Sequence, residues 1–140
     1  MRGCRHGRGE RAAGQAAVEF SIAASVFFLV VFGLMQLAIL HHARLQVIHA
    51  TREGGRYAAV NGASATQEQI ADYVIQQAPS LINPPLQRAD VTVAPAAPPR
   101  DSGTNITVSV QYNAQATVPM IAPLLGGGAV FSESVTRRIE

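Results

Sequence analysis

The sequence predicts an α+β fold: a transmembrane helix that extends into a long amino-terminal helix, followed by a short helix and a small antiparallel sheet of about three strands. Three observations carry this expectation. Residues Phe20 to Leu40 read FSIAASVFFLVVFGLMQLAIL, 21 residues without a charge. Helical spacing then continues through Leu45, Ile48, Arg52, Gly55 and Ala59. Much later, Ile106, Val108, Val110 and Tyr112 alternate with Thr107, Ser109 and Gln111, the period of a half-buried strand.

At 1.5 Å per residue the apolar run makes a helix of about 30 Å, the thickness of a bilayer's hydrocarbon layer. It is longer than the apolar region of a cleavable secretory signal, and His41, His42 and Arg44 follow it where small cleavage-site residues would stand. Within residues 1–14, ahead of it, Arg2, Arg5, Arg8 and Arg11 stand against Glu10 alone, a local charge of +3. The positive-inside rule therefore places the amino terminus in the cytoplasm and residues 41–140 on the exported side.

Past the span, small residues Ala50, Gly54 and Ala58 lie near the helical face just named, and Asn61 and Gly62 supply a stop. Gly54 and Gly55 each lower helix stability by about 1 kcal/mol, so this stretch is either a close-packing face or a hinge. Ser64 with Gln67 reads as a capping box, and Ile70, Tyr73, Val74 and Gln77 continue a short amphipathic helix to about Ala78. The next segment, NPPLQRADVTVAPAAPPRDSG, carries five of the chain's eight prolines and reads as loop with a short strand at Asp90 to Ala94. A last strand is expected from Ala129 to Arg138, after a turn at Gly126 to Gly128.

Several function classes lose support at this level. The 140 residues carry a formal charge of +2, but beyond Gly14 seven arginines face eight acids, a net of −1. That charge pattern offers no basic stripe and argues against nucleic acid as a partner. Cys4 is the single cysteine and has no partner for an intramolecular disulfide, which suits a bacterial envelope protein. His41, His42 and His49 have no nearby carboxylate or cysteine to complete a metal site. Ser132 and Ser134 flank Glu133 but have no base to activate them. No cofactor, metal or catalytic set is expected. Asn105-Ile106-Thr107 fits a glycosylation sequon by chance, and LLGGG reads as a turn, without the strand-to-helix context of a phosphate loop.

One acid is out of place. In GQAAVEF, Gly14 to Phe20, Glu19 stands at the mouth of the apolar helix. The helix macrodipole and headgroup water make an acid cheap there, which would explain Glu19 on its own. The combination is more telling: a short arginine-rich leader, a glycine at its end, a glutamate five residues later and a long apolar helix. It resembles the class III signal of type IV pilin-like proteins, which a prepilin peptidase cuts after the glycine.

The resemblance extends along the chain. GQAAVEF with the apolar helix, then LQVIHATREGGRYAAVNG (Leu45 to Gly62), is similar to the TadE-like pseudopilins of tight-adherence (Flp) pilus systems. NITVSVQY, ATVPMIAPLLGGG and AVFSESVTRRIE resemble that family's usual carboxyl end. Where family members often have a proline early in the span and an acid late in it, this chain has Ser25 and Gln36. The resemblance implies a pilin-like plan with a leader at 1–14, the spanning and extended helix at 15–62 and a small exported α+β domain at 63–140. It further implies cleavage between Gly14 and Gln15, with Glu19 and Phe20 as subunit-assembly residues. The implied function is a minor pseudopilin acting in pilus assembly, adhesion or secretion. Its partners would be prepilin peptidase, other pilin or pseudopilin subunits, the inner-membrane assembly platform and membrane lipid. It would sit in the bacterial inner membrane as a single-pass protein or enter the pilus. The alternative is an unprocessed membrane-anchored binding protein of an envelope secretion complex.

Overall fold

The computed structural model describes residues 7–78, 84–96, 98, 100–116 and 128–140, with side chains from residue 14 onward. In chain order the elements are α1 (Gly7–Asn61), α2 (Gln67–Gln77), a 3-10 turn (Arg88–Asp90), β1 (Val91–Ala94), β2 (Asn105–Gln115) and β3 (Gly128–Arg138). The three strands form one antiparallel sheet in the order β1-β2-β3, so the α+β expectation holds. The chain divides into two compact units, residues 1–35 and 36–140, with the division inside α1.

The first unit is helix alone among the described residues. Its large apolar side chains face outward: Phe20 is 72% exposed, and Ile22, Phe27, Phe28 and Leu34 are all more than half exposed. An all-round apolar helix without a protein cover is suited to lipid. The two serines fit that solvent. Ser21 Oγ donates to the Ala17 carbonyl at 2.7 Å and Ser25 Oγ to the Ser21 carbonyl at 2.8 Å, so neither hydroxyl would be left unpaired in a surrounding without water.

In the second unit α1 changes character. Ala43, Val47, Ala50, Gly54 and Ala58 are buried at steps of three and four that trace one helical stripe, with Thr51 and Ala59 buried beside it. The stripe is made mostly of small residues, and that decides how closely other elements approach. A Cβ added to Gly54 would collide with a methyl of Val74 on α2, and one added to Gly55 would lie 2.9 Å from Val135 Cγ1 on β3. The two glycines thus form a packing face in an unbroken helix rather than a hinge. The expected stripe was out of phase: Leu45 is 50% exposed and Arg52 is exposed, whereas Gly55 and Ala59 are buried as expected.

The sheet supplies the other wall of the core. Its inner face carries Val91 and Val93 from β1 and Ile106, Val108, Val110, Tyr112 and Ala114 from β2, all at most 2% exposed. Ile70, Ala71 and Val74 of α2 complete the cluster. The strict alternation on β2 keeps its polar residues on the opposite face, where Thr107 Oγ1 and Thr136 Oγ1 pair across the strands at 2.9 Å.

Two local expectations shift. The capping box of α2 uses Thr66 and Gln69, not Ser64 and Gln67: the Gln69 amide donates to Thr66 Oγ1 at 3.3 Å and the Thr66 amide to Gln69 Oε1 at 2.9 Å. Ser64 is already used in closing α1, since the amides of Ser64 and Ala65 both donate to the Asn61 carbonyl. The late turns of the expected span also differ, for Gln36 is fully buried and Leu40 packs against the core of the second unit. Cys4 and the Gly126–Gly127 part of the expected turn lie outside the described residues.

Two outcomes follow from this packing. Gly54→Leu should destabilise the second unit by about 2 kcal/mol through overpacking, whereas Gly33→Ala, with nothing within 4 Å of the added Cβ, should leave it unchanged. Near-ultraviolet circular dichroism of the tyrosines during urea unfolding in detergent reads both. Burial, with Asp90 as the smaller cause, pushes the Tyr112 phenol up to about 12, while its neutral hydroxyl donates to the Pro84 carbonyl at 2.7 Å. A raised phenol pKa means the fold favours the neutral form. That contribution is complete below about pH 10, where the unfolded phenol titrates, and is lost as pH rises through about 12. Tyr112→Phe should remove this part of the alkaline loss and cost about 1 kcal/mol at neutral pH, both read from urea midpoints against pH.

Candidate functional site

Gly14, Gln15, Glu19 and Phe20 all lie on α1 and all are exposed. Gln15 and Glu19 are four residues apart, so they share a helix face and are separated by about 6 Å along the axis. Nothing lies within 4 Å of a Cβ placed on Gly14. Among the described residues Glu19 has no ion-pair partner, since the pairs found are Arg44 with Glu133, Arg56 with Glu53 and Arg88 with Asp72. An acid, a glycine and the Gly14–Gln15 peptide bond thus lie close together on an exposed stretch of helix.

The family match falls on this segment. Residues 14–56 match the family described as TadE-like protein. Over those residues the chain is similar to TadE-like proteins. The TadE-like segment begins at Gly14 itself and runs through the lipid-suited helix and the stripe of small residues to Arg56. Neither a curated protein nor a solved structure matches the chain.

The other residues singled out in the sequence are not brought together. His41, His42 and His49 are exposed along α1, and the His42 ring meets Gln46 Nε2 at 3.3 Å. No group of three or more potential metal ligands occurs among the described residues. Ser132 and Ser134 lie on the exposed face of β3 while Glu133 turns to the other face and meets Arg44 at 3.8 Å. Thr107 of the sequon is engaged with Thr136.

Three arrangements were not foreseen. Arg44 and Glu133 join α1 to the inner face of β3. Tyr57 of α1 and Tyr73 of α2 stack at 4.3 Å between ring centroids. The third is Arg100, only 4% exposed, in the loop between β1 and β2. Its Nη1 donates to the carbonyls of Gly62 at 2.7 Å and Ala65 at 2.8 Å, its Nε to that of Pro95 at 2.8 Å and its Nη2 to that of Ala96 at 3.1 Å. The guanidinium therefore sits just past the carboxyl end of α1, where the macrodipole is negative and free carbonyls need donors. Burial lowers its pKa, yet an arginine stays charged there. Its signal in the sequence is slight: one charged residue closing a proline-rich stretch.

Arg100→Met should leave the Gly62 and Ala65 carbonyls without donors and cost about 2–4 kcal/mol. Arg100→Lys, which keeps the charge but not the fork, should recover only part of it. Urea midpoints of the two variants against the parent chain measure the difference.

Proposed function

We propose that the protein is a minor pseudopilin of a tight-adherence (Flp-type) pilus. On this reading it is made with a cytoplasmic leader, cut between Gly14 and Gln15 by prepilin peptidase, and held in the inner membrane by α1 with the remainder exported. The observation that carries the reading is the coincidence of the TadE-like match with the cut point: the match starts at Gly14, and Glu19 follows it by five residues on an uncovered apolar helix. Cleavage removes all four leader arginines and Glu10, so the mature chain is left with seven arginines against eight acids, close to neutral.

The cut also creates a charge. The α-ammonium of Gln15 lies about 6 Å along the helix from its own Glu19, and a neighbouring subunit offset along a filament axis can bring its ammonium nearer. In a low-dielectric surrounding such a pair offsets the cost of burying both groups and sets the stagger between subunits.

Amino-terminal sequencing of the protein isolated from membranes tests the reading. A chain beginning at Gln15 is expected, and one beginning at Met1 would reject it in favour of an unprocessed anchor. Gly14→Leu should leave the leader attached. Glu19→Ala should reduce recovery of the protein in the sheared pilus or assembly fraction severalfold. The pairing role is wrong if both cleavage and incorporation of Glu19→Ala match the parent chain.

A further inference from the structure

We infer that the hydrocarbon-facing part of α1 is Ala16–Met35, about five residues nearer the amino terminus than the apolar run alone suggests, so that Glu19 lies inside the hydrocarbon layer and Gln36 to Leu40 lie outside it. This rests on the membrane-anchored reading above. By hydropathy the run ends at Leu40, but composition cannot tell lipid from protein as the apolar neighbour. Burial separates them. Up to Met35 the large apolar side chains are open except for the half-buried Phe32, whereas Gln36 is fully buried, Ala43 is 8% exposed and Leu40 packs on the core of the second unit.

The nature of what surrounds that core decides where lipid must stop. Only one helix among the described residues is long and apolar enough to cross a membrane, and that is α1 itself. A cover over Gln36 and Leu40 placed in hydrocarbon would put strand or irregular backbone against lipid, where its unpaired amides and carbonyls would have no partner. The sheet has such open groups at this end. β3 runs in the same direction as α1: Arg44 meets Glu133, Gly55 lies beside Val135, and the Glu140 amide donates to the Ala59 carbonyl. From Val135 back to Gly128 is seven residues, or about 23 Å, which reaches down to about residue 40 on α1. There β2 has outrun β1, which pairs only as far as Val110, and among the described residues no strand pairs with the outer edge of β3. Gln111, Asn113, Gln115 and Ser132 are exposed on the same part of the sheet. All of these groups need water or headgroups.

With the outer boundary fixed at Met35, a layer about 30 Å thick takes about 20 residues and reaches back to Ala16. Glu19 is then about 4.5 Å inside, and Gln15 stands at the boundary. The exposed His41 and His42, together with Arg44, fall among the headgroups on the other side, where imidazole and guanidinium are readily accommodated.

Cysteine labelling tests the register in the full-length chain with Cys4→Ser, expressed without other pilus subunits. Leu34 and Leu37 are each 63% exposed in the protein itself, so a difference between Leu34→Cys and Leu37→Cys reports the membrane and not the fold. A membrane-impermeant maleimide is added to spheroplasts, with His41→Cys as the exposed control and labelling in sodium dodecyl sulfate as the measure of full reactivity. The thiolate that reacts forms only where water reaches, so Leu37→Cys should label at nearly the rate of His41→Cys and Leu34→Cys about tenfold more slowly. If Leu37→Cys is as protected as Leu34→Cys while His41→Cys labels, the span runs to Leu40 and the inference is overturned with the anchor intact. If all three label alike, the membrane-anchored reading fails as well. Ala38→Cys, also exposed, replaces Leu37→Cys should that variant not accumulate.

Discussion

One helix has to satisfy two apolar surroundings, and the rest of the structure depends on how α1 manages it. Before Met35 its large side chains other than the half-buried Phe32 are open, which suits lipid, since acyl chains conform to any shape and reward area rather than fit. After Gln36 one stripe is reduced to alanine, glycine, valine and threonine. A protein wall, unlike lipid, must interdigitate at crystal-like density, and short side chains are what let a helix and a sheet approach α1 at once. Gly54 is the closest point of that approach, with Val74 on one side and Val108 on the other. Larger residues there would hold α2 and the sheet apart and open the core along its length.

A core built this thin cannot carry unpaired polar groups, and the polar groups it buries are placed accordingly. Thr51 returns its hydroxyl to the Val47 carbonyl, Tyr112 reaches the Pro84 carbonyl, and Arg100 spreads across four carbonyls. Arg100 is the most consequential of these. It fastens the loop that leads from β1 into β2 to the turn that leaves α1, so two connections that are far apart in sequence share one cation. The Asp72–Arg88 pair does similar work on the surface between α2 and the 3-10 turn, where the carboxylate raises the pKa of the guanidinium it binds.

The strands, the apolar run and the end of α1 at Asn61 were legible because each rests on a long periodic pattern or on turn residues with few alternatives. The phase of the packing stripe was not. Leu45 and Ile48 dominate any hydropathy count, while Ala50, Gly54 and Ala58 are nearly neutral in it, although packing distance and not transfer energy selects the buried face. The α2 cap was misread because Ser64-x-x-Gln67 and Thr66-x-x-Gln69 are overlapping frames of the same motif, and only the hydrogen bonds closing α1 choose between them. Arg100 was hidden by the ordinary expectation that an arginine in a loop is solvated. Gly14 and Glu19 owe their position to chain order along one helix and not to a tertiary contact, so the structure adds only their exposure to what the sequence says of them.

The inferred register gives Glu19 a sharper physical role than a residue at the edge of the span would have. A carboxylate at the boundary is already hydrated and gains little from a partner. One placed a turn inside the hydrocarbon loses much of that hydration, at a cost of several kcal/mol when ionised, and keeps the cost until a cation reaches it. In a chain cut after Gly14, the Gln15 ammonium would stand at the boundary and could only partly offset it, because helix geometry fixes the two about 6 Å apart along the axis. A second subunit is under no such constraint. The isolated processed chain would therefore hold an unfavourable charge that assembly relieves, and the unprocessed chain, whose Gln15 nitrogen is an uncharged amide, could not relieve the charge of a neighbour. On this argument the proposed cleavage after Gly14 would do more than remove the arginines: it would make the cation that offsets the buried charge of Glu19.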